Sequence, residues 1–166
     1  LLSFVIPAYY EQENLQPVYH AIQYVMEKHI PDYGWEIVFV DDGSPDHSAQ
    51  VLEELSCQDT KCRVVELSRN FGKEIALSAG VDYASGDAVI CLDADLQHPP
   101  ERIPDMVLEW EKGVEVVEMV RERSKHDPWL RRVGSSFFYA ILSLLSSTDI
   151  LAKTTDFRLL DRKVVD

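Results

Sequence analysis

The sequence has few cysteines and no long apolar run. Cys57, Cys62 and Cys91 are an odd number and include no closely spaced CxxC pair, which argues against a disulfide framework and against a zinc site. No stretch of 18 apolar residues is present, so no segment of this sequence is expected to cross a bilayer. Cysteine usage of this kind favours a reducing, cytoplasmic location.

Basic residues are scarce in the first 120 positions, which contain 7 Lys and Arg against 23 Asp and Glu. Residues 121–166 contain 9 against 6, and the two parts together give the net charge of −13. The acidic part argues against a nucleic-acid partner, which requires a basic surface. A phosphate ligand would need a metal ion or local basic residues, and the basic late part could meet an anionic acceptor or a membrane surface.

The pattern of apolar residues predicts a single α/β domain. The chain has 166 residues and an ordinary globular composition, with 46% hydrophobic and 27% charged residues. Short apolar runs alternate with apolar residues at helical spacing. The predicted strands are Leu2–Pro7, Ile37–Val40, Arg63–Leu67, Ala88–Leu92 and Val114–Val120. This order predicts a mostly parallel sheet with helices on both faces.

Acidic residues follow three of the predicted strands: Glu11 after the first, Asp41 and Asp42 after the second, and Asp93 and Asp95 after the fourth. Ligands of parallel sheets bind beyond the carboxyl ends of the strands, so these side chains are expected on one rim. Like charges brought together require a compensating cation. Oxygen ligands suit Mg²⁺ or Mn²⁺, and the sequence therefore predicts a divalent metal site that also holds a diphosphate.

Four sequence runs carry a resemblance to a known family: FVIPAYYEQENL, IVFVDDGSPDHS, LSRNFGKEIALSAG and DAVICLDADLQHPPE. Together they resemble family 2 glycosyltransferases, which have a GT-A (Rossmann-like) fold. The run DADLQHPPE, with RNFGKE before it and TDFRLLDRKVVD after it, more narrowly resembles the polyprenyl-phosphate glycosyltransferases. That group includes dolichyl-phosphate mannose synthases and bacterial undecaprenyl-phosphate sugar transferases. The resemblance extends over nearly the whole chain in the same order.

The resemblance implies one catalytic domain over residues 1–166, with a nucleotide-binding part at about 1–96 and an acceptor part at about 97–166. Membrane segments, which often follow this domain in relatives, are not expected within this chain. Two positions depart from the family pattern. Tyr10 stands where Asn is usual, which affects the donor pocket, and Thr155 stands where Gly is common before Asp156.

The resemblance also implies a role for individual residues. It assigns donor binding to Pro7, Ala8, Tyr9, Glu11, Asp41, Asp42, Asp93, Ala94, Asp95 and Gln97. It assigns metal binding to Asp93, Asp95 and Gln97. It assigns binding of the acceptor phosphate to Arg121, Arg123, Arg131, Arg132 and Ser135. The catalytic residues it implies are Asp95, Asp156 and Arg123.

The implied reaction is an inverting, Mg²⁺- or Mn²⁺-dependent transfer of a sugar from a UDP- or GDP-type donor to undecaprenyl or dolichyl phosphate. It would serve cell-envelope glycan or glycolipid synthesis at the cytoplasmic face of the membrane, with a homo-oligomer left open. A phosphate acceptor is largely ionised near neutral pH, because its second pKa is about 6, and needs cations more than a base. The alternatives are a sugar or polysaccharide hydroxyl acceptor, a nucleotidyltransferase and a non-enzymatic nucleotide-binding module.

Two further segments are open to alternative interpretations. Residues Pro128 to Ser147 predict a helix with one apolar side, which suits either a membrane interface or an ordinary core. Asp156 could act as a general base for a hydroxyl acceptor, or could be a helix-boundary residue paired with Arg158 or Arg162. Lys73 is expected at a helix start near the nucleotide.

Overall fold

A computed structural model describes residues 1–120 and 154–166. The strands are β1 (Leu2–Ala8), β2 (Trp35–Asp41), β3 (Cys62–Glu66), β4 (Ala88–Cys91), β5 (Val116–Val120) and β6 (Thr154–Asp161). The helices are α1 (Leu15–His29), α2 (Ser48–Gln58), α3 (Lys73–Tyr83), α4 (Ile103–Glu111) and α5 (Arg162–Val165), with a 3₁₀ turn at Pro100–Arg102. The helix predicted over residues 128–147 lies outside the described residues. Within the described ranges, no helix has the length and apolar character needed to span a bilayer.

The strands form one six-stranded sheet in the order β3-β2-β1-β4-β6-β5. The central strands β3, β2, β1 and β4 are parallel, as the sequence predicts. Strand β6 was not predicted, and it pairs antiparallel with β4, placing Cys91 opposite Arg158. Residues 1–117 and 156–166 form one compact unit, the first of two into which the chain divides. The site described below lies entirely within the first unit.

Both faces of the central sheet are buried. Every residue of β2 is buried, and successive side chains of a strand point to opposite faces, so both faces must be covered. The prediction of a mostly parallel α/β domain is therefore confirmed. Helix α3 covers one face and approaches it closely, because a Cβ at Gly80 would lie 2.3 Å from Cγ1 of Val5. This close packing fixes the position of the first residue of α3 at the carboxyl ends of the parallel strands.

A buried carboxylate, that of Glu36, connects β1, β2 and β3 near their amino ends. Glu36 is 8% exposed and accepts hydrogen bonds from Ser3 Oγ at 2.6 Å, Ser85 N at 2.7 Å and Arg63 Nη1 at 3.2 Å. Burial by itself would raise the pKa of Glu36, but the hydrogen bonds outweigh it, and the pKa lies below its ordinary value. Glu36 therefore stabilises the fold in its ionised form.

We expect Glu36→Gln to lower the free energy of unfolding by about 1–3 kcal/mol at neutral pH, because the amide cannot accept all of these bonds. A folded-state pKa below the unfolded value adds stability that is fully present above the unfolded pKa and is lost as pH falls through the folded one. The gap between the two proteins should therefore shrink below about pH 4. Urea unfolding at several pH values measures this difference in the free energy of unfolding.

The matched control is Glu54→Gln, which alters an exposed carboxylate on α2 that accepts a hydrogen bond from Gln50 Nε2 at 3.1 Å. Equal stability of Glu36→Gln and wild type at neutral pH would contradict the assignment, as would a gap that widens in acid.

Candidate active site

A pocket of about 330 Å³ opens at the carboxyl ends of β1 and β4. It is lined by residues that follow these strands and by the start of α3. The lining residues are Pro7, Ala8, Tyr9, Glu11, Asp42, Asn70, Gly72, Lys73, Ala76, Asp93, Ala94 and Asp95. Acidic residues from all three predicted strand ends therefore meet at one pocket, as expected for parallel strands with a common edge.

Hydrogen bonds tie the loop after β1 to the loop after β2 and to the first residue of α2. The Tyr10 amide donates to Ser44 Oγ at 3.3 Å, and the Glu11 amide donates to Ser48 Oγ at 3.1 Å. Asp46 accepts from the Ser48 amide at 3.1 Å. Burial would raise the pKa of Asp46, but its hydrogen bonds, led by those from Ser48, lower it. These bonds hold the two loops in one arrangement before any ligand binds.

Tyr9 and Tyr10 present aromatic surface at the pocket. Tyr9 is 43% exposed and lines the pocket, and its ring meets the ring of Tyr10 edge-on at 4.8 Å between centroids. Tyr10 has a φ of 61°, a left-handed conformation that Asn adopts more readily than Tyr. The family's usual Asn therefore matches the backbone at this position, and Tyr10 keeps that backbone with an added aromatic contact.

Asp42 shapes the pocket from inside. It is 2% exposed, and its two oxygens accept the amides of Phe71 at 2.8 Å and Gly72 at 2.9 Å. These bonds fix the loop that enters α3. Asp41 is also buried, and its Oδ1 accepts the Ser44 amide at 3.2 Å. Asp41 does not line the pocket, and contact of either aspartate with a donor base stays a prediction.

The segment after β4 presents two carboxylates in different settings. The side chain of Asp93 is 25% exposed, whereas Asp95 is exposed and its Oδ1 accepts the Gln97 amide at 3.0 Å. Ala94 between them is 2% exposed. Leu96 has a φ of 56°, which turns the chain sharply after Asp95. The side chain of Gln97 is exposed, and its predicted metal contact stays a prediction.

Lys73 joins the two sides of the site. Its Nζ lies 2.6 Å from Asp93 Oδ1 and is hydrogen-bonded to Asp156 Oδ2. Burial would lower the pKa of Lys73, but the hydrogen bonds and charges of Asp156 and Asp93 raise it above its ordinary value. Asp156 Oδ1 also lies 3.5 Å from Arg158 Nη2. Asp156 lies on β6, so it is a strand residue and not a helix-boundary residue. Its partners are Lys73 and Arg158 rather than Arg162.

Comparison with known proteins identifies a family that matches nearly the whole chain. The sequence model described as Glycosyl transferase family 2 matches residues 3–166. The chain belongs to glycosyl transferase family 2. The resemblance stated from the motifs is thereby confirmed.

Named relatives of this family 2 chain include an uncharacterized glycosyltransferase, YkcC, of Bacillus subtilis (strain 168), with 42% identity over 99% of this chain and 50% of the relative. A bactoprenol glucosyl transferase of Shigella phage SfV is 38% identical over 99% of this chain and 53% of the relative. The chain thus spans about half the length of the curated relatives it matches. The mannosyltransferase PcManGT of Pyrobaculum calidifontis, solved with GDP-Man and Mn²⁺, superposes with a TM-score of 0.64 at 19% identity, covering 99% of this chain and 45% of that one. This likeness confirms the GT-A fold.

The described residues offer an incomplete set of protein ligands for a metal. Among them, no group of three or more His, Cys, Asp or Glu side chains is placed to hold a metal ion. Asp93 and Asp95 supply two carboxylates at the pocket. Mg²⁺ typically takes one or two carboxylates and completes its octahedral shell with water and substrate phosphate oxygens. The pair therefore fits a divalent ion bound together with a diphosphate.

The side chains assigned to the acceptor phosphate lie outside the described residues: Arg121, Arg123, Arg131, Arg132 and Ser135. The predicted catalytic role of Arg123 is outside them for the same reason. The contact of Lys73 with Asp93 and Asp156 was not predicted. The sequence predicts only that Lys73 lies at a helix start near the nucleotide.

We expect Asp42→Ala to lower the free energy of unfolding by about 2–4 kcal/mol, because it leaves two backbone amides without their charged acceptor. The loop before α3 should become susceptible to limited proteolysis, since those two bonds fix it. Urea unfolding and proteolysis followed by mass spectrometry measure both effects. The control is Asp82→Ala, an exposed residue on α3. A loss no larger than that of the control would contradict the role of Asp42.

Proposed function

We propose that this chain is the catalytic domain of an inverting, metal-dependent glycosyltransferase that moves a sugar from a UDP- or GDP-type donor to polyprenyl phosphate. The acceptor would be undecaprenyl or dolichyl phosphate at the cytoplasmic face of a membrane, in the synthesis of a cell-envelope glycan or glycolipid. The observation that carries the proposal is the pocket in which Asp93 and Asp95 meet the loop after β1.

The pocket has an aromatic part and a charged part. These suit the nucleoside and the diphosphate of a donor, which supports the proposal. Tyr9 offers exposed ring surface for a base or ribose, and Glu11 beside it can accept hydrogen bonds from hydroxyl groups. Asp93 and Asp95 lie at the charged part, where a divalent ion would neutralise the departing diphosphate. Lys73 lies beside Asp93 and can donate to diphosphate oxygens.

A lipid-phosphate acceptor is supported by the relative named as a bactoprenol glucosyl transferase and by the chemistry of the attack. An ionised phosphate oxygen is already a competent nucleophile, so the protein has to position it and offset its charge. Bidentate arginine contacts suit that task. Arg121, Arg123, Arg131, Arg132 and Ser135 remain the proposed acceptor contacts.

The surroundings of Asp156 favour a phosphate over a hydroxyl acceptor. A hydroxyl nucleophile needs a carboxylate as its general base, whereas an ionised phosphate needs positioned cations. Both oxygens of Asp156 contact cationic groups, Lys73 on one side and Arg158 on the other. Such a carboxylate is suited to orienting those cations, and we propose this role for Asp156.

We expect Asp95→Asn to lower sugar transfer about 100-fold or more, because an amide cannot neutralise a metal ion as a carboxylate does. Transfer is measured with undecaprenyl phosphate in detergent micelles and labelled UDP-glucose, UDP-GlcNAc and GDP-mannose supplied in parallel with Mn²⁺. A chelator added to the wild-type protein should give a comparable loss, reversed by Mn²⁺.

The matched control is Asp105→Asn, which changes an exposed carboxylate on α4 that is paired with Arg102. It should leave transfer unchanged. Label transferred only to a carbohydrate hydroxyl would overturn the acceptor assignment, and full activity of Asp95→Asn would overturn the metal-site assignment.

A further inference from the structure

Lys73 holds a position that a metal ion would also be drawn to. It is the first residue of α3 and is preceded by Gly72, whose φ is 98°. Its Nζ contacts Oδ1 of Asp93 at 2.6 Å and Oδ2 of Asp156. One ammonium group thus bridges a carboxylate after β4 and a carboxylate on β6, two residues that lie far apart in the sequence.

The charges around the pocket make this ammonium important. Among the described lining residues, Lys73 is the only cationic side chain, and four are acidic: Glu11, Asp42, Asp93 and Asp95. The charge of Asp42 is already met by two backbone amides. Lys73 therefore compensates Asp93 directly and shares the compensation of Asp156 with Arg158.

A divalent ion that binds Asp93 would come close to the Lys73 ammonium. Two cations sharing one carboxylate repel each other, and the repulsion is strong in a partly buried site. A diphosphate changes this balance because it brings anionic oxygens that can accept the ammonium and coordinate the ion together.

From this juxtaposition we propose that Lys73 competes with the divalent metal for Asp93 in the donor-free protein, and that a nucleoside diphosphate relieves the competition by drawing Lys73 to its phosphates. Metal and nucleotide then bind as a pair, each strengthening the other by the same factor. The inference rests on the proposed function for assigning a divalent metal and a nucleoside diphosphate to this pocket.

The test measures Mn²⁺ binding to the whole chain by electron paramagnetic resonance, without donor sugar or acceptor. Lys73→Met should bind Mn²⁺ about threefold to tenfold more tightly than wild type without nucleotide, the range expected for removing one or two partly exposed ion pairs. Lys73→Arg, which keeps the charge, should resemble wild type. In the presence of UDP or GDP, whichever binds, the advantage of Lys73→Met should disappear or reverse.

The matched control is Lys112→Met, which removes the same charge from an exposed pair with Glu109. Mn²⁺ binding by Lys73→Met that is no tighter than that of Lys112→Met would overturn the proposal. An advantage that persists unchanged with both nucleotides would also overturn it. Lys73→Gln provides a second neutral variant, and thermal melting verifies that each variant is folded.

This outcome is separable from that of the proposed function. Mn²⁺ titration involves no sugar transfer, so a chain that fails to glycosylate polyprenyl phosphate can still show the competition. A chain that performs the transfer can equally well show none.

Discussion

The concentration of carboxylates at one edge of a parallel sheet is the constraint on which the site depends. Strands β1, β2 and β4 end side by side, so the acidic residues that follow them are brought together whether or not a ligand is present. The protein compensates these charges in two ways. Backbone amides of Phe71 and Gly72 satisfy Asp42, and the ammonium of Lys73 satisfies Asp93 and Asp156.

The two kinds of compensation differ in permanence. Asp42 is 2% exposed, and losing its amide donors would leave a buried charge unpaired, so these bonds have to persist throughout a reaction cycle. The ion pairs of Lys73 are partly solvated, and pairs of that kind contribute little to stability. The fixed bonds therefore belong to the scaffold, and the pairs of Lys73 are free to be exchanged for contacts with a ligand.

The parts of this fold that could be predicted were those encoded locally. Continuous apolar runs such as Ile37–Val40 are typical of buried parallel strands, and acidic residues directly after them had to lie on one rim. Strand β6 was missed because its apolar residues, Phe157, Leu159 and Leu160, lie among polar residues and form no continuous apolar run of the kind typical of a buried parallel strand. The inward role of Asp42 was missed because a sequence does not reveal whether a carboxylate faces a ligand or a backbone amide. The bridge from Lys73 to Asp156 joins residues 83 positions apart, and no local pattern encodes it.

The place of β6 in the sheet also determines the order in which the domain can be completed. Strand β6 lies between β4 and β5 although it follows both along the chain. During synthesis, β4 is an open sheet edge until residues 154–161 arrive, and an open edge is a template for pairing with other chains. Pairing so distant in sequence is also intrinsically slow, because the chain closes a long loop before it gains the contact. The strand that carries Asp156 therefore covers an edge that the five strands before it in the chain leave unpaired on β4.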